Sequence, residues 1–179
     1  MSNTREEYIF NQLSSNNIGA ELGVFEGEFS DILNKSQKFS KLYLVDIFEG
    51  DMYSGDKNGE NGKVINLMHS YNNLLNKYQT DKGVEIIKNT SVNFLNSLDN
   101  DSLSFVYIDA DHSYEGAKQD LNLSRLKVHK NGIISGHDYN QYRFEGVFRA
   151  VNEFVQKFNL TVSFTKEDKL ASFFIINDK

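Results

Sequence analysis

Short apolar runs recur along the chain, and each ends abruptly at a polar residue. Residues 18–22, 41–46, 84–88, 103–108 and 133–135 have the length and content of buried strands. Between them the apolar positions fall three and four apart, the spacing of a helix with one buried face. Over residues 63–78 that stripe is Val64, Leu67, Met68, Tyr71, Leu74, Leu75 and Tyr78. Over 144–158 it is Phe144, Val147, Phe148, Val151, Phe154, Val155 and Phe158. Shorter helices are predicted to begin at 29–33, to lie near 92–98, and to run over 114–126 with Tyr114, Ala117 and Leu121 inward. A helical lead at 4–13 opens with Thr4 as N-cap and Glu7 three residues on. Lys130-Asn131-Gly132 reads as a turn before the fifth strand.

Five strand-then-helix units imply a parallel sheet covered on both faces. The last two apolar runs, 160–164 and 171–176, have only a Lys/Glu/Asp turn between them. That is too short for a parallel crossover, so they form an antiparallel hairpin. The predicted fold is α/β: a doubly wound, mostly parallel, seven-stranded sheet ending in an antiparallel hairpin. It occupies one domain, residues 1–179, with a short N-terminal helical lead. Residues 48–62 hold four glycines and carry neither period, which predicts a mobile loop. It is either a lid over the neighbouring site or a surface insertion.

Composition narrows the partners. A chain of 179 residues with 39% hydrophobic content fits one domain with a substantial core. The net charge of −6 argues against a nucleic-acid partner, which needs a basic face. No apolar run is long enough to span a bilayer and no secretory leader is visible, so a cytoplasmic location without a membrane partner is expected. Without Cys there is neither a disulfide framework nor a thiolate metal site. Fourteen Phe and nine Tyr, many on helices, permit a homodimer.

Candidate chemistry gathers where two apolar runs stop: Phe105-Val-Tyr-Ile-Asp-Ala-Asp-His-Ser-Tyr-Glu115 and Ile133-Ile-Ser-Gly-His-Asp-Tyr139. Acids do not continue a buried strand without a large desolvation cost, so they mark strand tips, where an open α/β sheet keeps its ligand crevice. Asp109, Asp111, His112, His137 and Asp138 are therefore expected to form one site. A glycine loop, Gly23 to Gly27, follows the first strand and would let backbone approach a ligand at a helix N-terminus. Its spacing is G-x-x-x-G rather than the dinucleotide G-x-G-x-x-G, and the flanking Glu26 and Glu28 repel a pyrophosphate. Glu21 suits a ligand bearing an ammonium group. Asp46, at the second strand's tip, is placed to accept ribose hydroxyls.

Glu21-Leu-Gly23-Val-Phe-Glu-Gly27, Asp46, Asp109-Ala-Asp-His-Ser-Tyr-Glu115, Asp120 and Gly136-His-Asp-Tyr139 together resemble the class I S-adenosylmethionine-dependent methyltransferases. Within that class the chain is similar to the small-molecule O-methyltransferases that include the macrocin O-methyltransferase type. The resemblance implies S-adenosyl-L-methionine as cofactor. Glu21, Gly23 and Gly27 would line its methionine side, with Val24 and Ser30 among the contacts. Asp46, with Ile47 beside it, would hold the ribose, and Asn89, Thr90 and Ser91 would meet the adenine. Asp109 falls both at the cofactor and where metal-dependent relatives place a ligand for Mg²⁺ or Mn²⁺, and Asp138 falls on a further ligand. Two departures stand out. Asp138 lies between His137 and Tyr139 where metal-dependent relatives often carry Asp-Asn, and Lys130-Asn131-Gly132 replaces a usual Pro-Gly-Gly turn.

Methyl transfer needs an acceptor oxygen positioned in line with the sulfonium carbon, and removal of the hydroxyl proton by a base or a metal. The candidate metal ligands are Asp109, His137 and Asp138; the candidate bases are Asp111, His112 and His137. Asp111 and Ser113 compete for the role of N-cap of the helix beginning near Tyr114. The expected activity is methylation of a hydroxyl on a small-molecule acceptor: a sugar, glycan precursor or secondary metabolite. The alternatives are a nicotinamide-dependent oxidoreductase and a non-catalytic nucleotide-binding module.

Overall fold

The computed structural model describes residues 4–54, 63–165 and 170–179. The main sheet is built from β1 (Asn17–Leu22), β2 (Phe39–Asp46), β5 (Val84–Lys88), β6 (Leu103–Ile108), β7 (Val128–Gly136), β8 (Val162–Phe164) and β9 (Phe173–Ile176). Their spatial order is β5-β2-β1-β6-β7-β9-β8. The first five are parallel, whereas β9 runs antiparallel to both β7 and β8. This is the doubly wound, seven-stranded sheet with a closing antiparallel pair that the pattern predicts.

Period-two alternation sends each strand's side chains to two separate cores. On β6, Val106 and Ile108 pack with α4 (Ser91–Ser97), α5 (Tyr114–Lys127) and α6 (Glu145–Phe158), through Leu95, Ala117, Leu121, Val151 and Phe154. Phe105 and Tyr107 face the other way, toward α1 (Arg5–Gln12), α2 (Glu28–Lys35) and α3 (Leu67–Tyr78), through Ile9, Leu33 and Leu74. Thr4 caps α1 as expected, its Oγ1 accepting the Glu7 amide at 3.2 Å.

Three local expectations are corrected. Residues 63–78 do not form one helix: β4 (Lys63–Asn66) precedes α3, and Asn66 caps α3 by accepting the His69 amide at 3.0 Å. Only Ile65 of β4 is buried, and Val64, Met68 and Leu75 of the expected stripe face solvent. Nor are residues 48–54 of the 48–62 stretch an aperiodic loop. β3 (Asp51–Ser54) pairs antiparallel with β4, and Phe48 is fully buried 5.0 Å from the Tyr71 ring. Residues 55–62 of that stretch lie outside the described residues. Lys130-Asn131-Gly132 is not a turn before the fifth strand but an irregularity inside β7: Leu103 is opposite Val128 and Phe105 opposite Ile133. Asn131 takes a φ of 65° there, a left-handed conformation that Asn tolerates.

Candidate active site

The strand tips are aligned by ladder bonds that run one residue beyond the strands. Gly23 donates to Val45 O at 2.8 Å, Asp109 to Leu22 O at 2.7 Å, His137 to Ile108 O at 3.0 Å and Asn89 to Asp46 O at 3.0 Å. Ile108 is in register with Gly136, which sets Asp109 beside His137. Gly23 has a φ of 89°, and a Cβ on it would lie 1.9 Å from Asp109 O, so only glycine lets β1 and β6 end this close together.

Above these tips lies a cleft of about 380 Å³, within the size range of small-molecule sites. Gly23, Asp46, Ile47, Asn89, Thr90 and Ser91 line it, as do Asp109, Asp111 and His112 from the β6–α5 loop. Glu21, Val24, Gly27 and Ser30 are not part of its wall. Glu21 is 2% exposed and its Oε2 accepts the Ser30 hydroxyl at 2.5 Å. Burial, reinforced by Asp109 and Asp46 and opposed by Ser30 and Arg5, pushes the Glu21 carboxyl up to about 8. Val24 is buried, and Gly27 is the left-handed N-cap of α2. Asp46 anchors the glycine loop: Oδ2 accepts the amides of Val24 (2.8 Å) and Phe25 (3.1 Å), and Oδ1 accepts that of Phe48 (2.8 Å).

Asp109, His112, His137 and Asp138 form one cluster at the end of the cleft. His112 Nε2 lies 3.2 Å from Asp109 Oδ1 and 2.9 Å from Asp138 Oδ2. Hydrogen bonds to Asp109 and Asp138, which outweigh burial, push the His112 imidazole up to about 10. His137 Nδ1 lies 3.3 Å from Asp138 Oδ1 and 3.9 Å from Asp109 Oδ2. Burial pulls the His137 imidazole down, but the two carboxylates prevail and its pKa is raised. For Asp138 burial favours the neutral acid, but the two imidazoles overcome it and hold the carboxyl down at about 2. Asp138 is 4% exposed, and its φ of 59°, which Asp tolerates, ends β7. Its Oδ1 has close contact with His137 without hydrogen-bond alignment and so lacks a hydrogen-bond donor.

This arrangement separates two candidate bases. His112 sits between two carboxylates, which favour its protonated form. Asp111 stays outside the cluster: it is exposed, and its Oδ1 accepts the Ser113 amide at 2.8 Å. Ser113 is the residue that caps α5, accepting the Gly116 amide at 3.1 Å. Thr90 is likewise committed to a cap, its Oγ1 accepting the Asn93 amide at 3.1 Å. One ligand atom each from Asp109, His137 and Asp138 lie within 4.8 Å of one another. Two carboxylates and an imidazole, with one carboxylate oxygen lacking a donor, are a donor set that suits a divalent cation.

The sequence left part of the cleft wall unassigned. Phe25, Met52, Leu67, Val92 and Gln119 line it without any readable signal, but Asp120 carries one. It occupies the buried stripe of α5 with Ala117, Leu121 and Ser124, where an acid is out of place. Neither of its carboxylate oxygens has a well-aligned hydrogen-bond donor among the described residues, although the Ser91 hydroxyl interacts with the group.

Comparison with known proteins accords with this geometry. The chain is 28% identical over 138 residues to an uncharacterized protein of Acanthamoeba polyphaga mimivirus; the match covers 75% of this chain and 58% of the relative's length. It superposes on an rRNA methylase from Streptococcus thermophilus with a TM-score of 0.67 and 10% identity, covering 97% of this chain and 94% of the other. It also superposes on SMU.1697c, a candidate methyltransferase from Streptococcus mutans in complex with SAH, with a TM-score of 0.64 and 12% identity, covering 96% and 95% of the two chains. These likenesses establish the fold. Residues 20–139, which span every strand tip of the cleft, match the methyltransferase domain family, and the chain belongs to that family.

Proposed function

We propose that the chain is an S-adenosylmethionine-dependent methyltransferase that methylates a hydroxyl of a small polar acceptor such as a sugar, glycan precursor or secondary metabolite. The observation that carries this reading is the charge of the cleft wall. Four carboxylates line it, from Asp46, Asp109, Asp111 and Asp120, and His112 is its one basic side chain among the described residues. Such a wall favours a cationic nucleoside and disfavours a pyrophosphate, which speaks against a nicotinamide dinucleotide. The net charge of −6 favours a small acceptor over a nucleic acid.

The cofactor supplies an electrophilic methyl group on a sulfonium. The chain supplies position and proton handling. Asp109 is the cluster carboxylate that lines the cleft, so it is placed to accept the hydrogen bond, and then the proton, of an acceptor hydroxyl. His112 and His137 orient it and balance its charge, and buried Asp138 holds both imidazoles. A divalent cation on Asp109, His137 and Asp138 would lower the hydroxyl's pKa directly, and the imidazole in the set favours Mn²⁺ over Mg²⁺.

Isothermal calorimetry with S-adenosylmethionine, S-adenosylhomocysteine and NAD tests the cofactor. Binding of the first two and not the third is expected; binding of NAD alone overturns the reading. Methyl transfer from labelled cofactor to a panel of hydroxylated acceptors then separates an enzyme from a non-catalytic binding module. Repeating the assay after EDTA treatment, with Mg²⁺ or Mn²⁺ restored, tests the cation; full activity without it removes the metal from the scheme.

A further inference from the structure

Asp120 is 1% exposed and lines the cleft, and neither of its carboxylate oxygens has a well-aligned hydrogen-bond donor among the described residues, although the Ser91 hydroxyl interacts with the group. A buried carboxylate in that state is costly unless something outside the chain satisfies it. Burial pushes its pKa up to about 6, with the Ser91 hydroxyl opposing and Asp111 reinforcing the shift. The interaction with Ser91 places Asp120 at the β5–α4 end of the cleft, whose wall also includes Asn89, the residue whose amide donates to Asp46 O. If Asp46 holds a ribose, the base attached to it reaches toward Asn89, Ser91 and Asp120. Val45 and Val92 add apolar surface to the same cleft, as a planar base requires.

We infer that Asp120 is the specificity residue for the nucleobase, accepting hydrogen bonds from the exocyclic amino group of adenine. This deepens the cofactor reading and rests on it. A neutral aromatic amine brings an N–H donor to an acceptor oxygen that lacks one, without adding a charge. A 6-oxo base presents an acceptor instead and leaves Asp120 buried and unsatisfied. The residue comes from α5, not from the loop after β5, where Asn89, Thr90 and Ser91 provide no acid.

The test is calorimetric binding of S-adenosylhomocysteine and of its 6-oxo analogue, S-inosylhomocysteine, to the full chain and to Asp120→Asn. The unsubstituted protein should prefer the amino form by about 10- to 100-fold, the range of a hydrogen bond to a charged group. In Asp120→Asn, which can donate to a 6-oxo group, the preference should fall to within a few-fold of unity. Because the readout is a ratio of two affinities, a partly unfolded sample does not distort it. Should Asp120→Asn fail to fold, binding of N6,N6-dimethyl-S-adenosylhomocysteine to the unsubstituted protein replaces it; loss of the same factor supports the assignment and unchanged affinity overturns it. A large preference that persists in Asp120→Asn overturns the role of Asp120 and leaves the cofactor reading intact. Equal affinity of the unsubstituted protein for both nucleosides also overturns it. Binding of neither nucleoside by the unsubstituted protein overturns the cofactor reading itself, and this inference with it.

Discussion

Replacing Glu21 by Gln should stabilise the fold increasingly as pH rises. Glu21 extends from β1 toward the α1–α2–α3 face, opposite Leu44 and Tyr107 in the sheet register, and is 2% exposed. Among the described residues its one side-chain hydrogen bond is from Ser30. Desolvation raises its carboxyl from 4.5 to about 8, with Asp109 and Asp46 adding to the effect against Ser30 and Arg5. Between those two values the folded chain holds a proton that the unfolded chain has lost. Stability therefore falls as pH rises through this window, by about 1.4 kcal/mol per pH unit, and levels off above the folded value. The accumulated cost is about 3 kcal/mol at pH 7 and approaches roughly 5 kcal/mol above pH 8, on the order of a small domain's whole stability. Gln keeps an acceptor for Ser30 and does not titrate. The assay is urea denaturation followed by circular dichroism for both proteins at pH 5, 6, 7 and 8. The quantity read is the change with pH in the difference between their unfolding free energies, so a constant offset from the new amide drops out. A difference that grows by about 1 kcal/mol per unit supports the reasoning. Curves that stay parallel from pH 5 to 8 refute it and mean that Glu21 is ionised in the fold.

Other perturbations separate the remaining claims. Gly23→Ala should cost more than about 3 kcal/mol, or prevent folding, because its Cβ would meet backbone at 1.9 Å. Gly27→Ala should cost about 1–2 kcal/mol, since at its φ of 82° the new Cβ meets only the flexible end of Leu74; thermal denaturation ranks the two. Asp138→Ala should destabilise by about 3 kcal/mol at pH 6 by leaving the His112 and His137 imidazoles without their shared carboxylate. Because the Asp138 carboxyl is held down at about 2, that contribution is complete above pH 3.8 and is lost as pH falls through 2, which denaturation between pH 2 and 6 would show. The His112 pKa is raised to about 10, so its ring resonances should stay at the imidazolium position up to pH 8.5 in NMR; a midpoint near 6.5 would break the proposed bridge. Its stabilising contribution is present below 6.5 and is lost as pH rises through about 10.

Where an element is buried on a face of the sheet, the hydrophobic pattern declares it. The runs at β1, β2, β5 and β6 and the stripe of α6 are legible because each strand or helix must present apolar residues at its own period to a core. The β3–β4 ribbon escapes that logic. It is four residues per strand, and Asp51, Met52, Lys63, Val64 and Asn66 are exposed, so its alternation is too short to outweigh the apolar stripe that continues from Val64 into α3. The first half of β7 escapes for a different reason. Its Lys130-Asn131-Gly132 segment has the composition of a turn, and it is held in the strand by remote partners: Asn131 donates to Asn177 O, and Asn177 donates to Gly132 O. Contacts between positions 131 and 177 leave no local signature.

The site divides along the same line. Convergence of Asp109 with His137 and Asp138 follows from the adjacency of consecutive parallel strands, and the register of Ile108 with Gly136 delivers it. The role of His112 depends instead on how the β6–α5 loop returns. Asp111 Oδ1 fixes that turn through the Ser113 amide, and Gly146 at the start of α6 leaves room for it: a Cβ there would stand 2.8 Å from His112 O. With the loop so placed, His112 swings between two acids and exchanges basicity for a fixed charge. Glu21 shows the reverse case. Its position before the glycine loop suggested a partner for an ammonium group, but strand alternation points it away from the cleft and under α2. Burial raises that carboxyl to about 8, which favours its neutral form at pH 7 and weakens its pull on a cation beyond the loop. On the proposed cofactor reading the attraction comes from the acids on the wall, Asp46, Asp109, Asp111 and Asp120, and mutations that remove those charges should weaken binding of S-adenosylmethionine where Glu21→Gln does not.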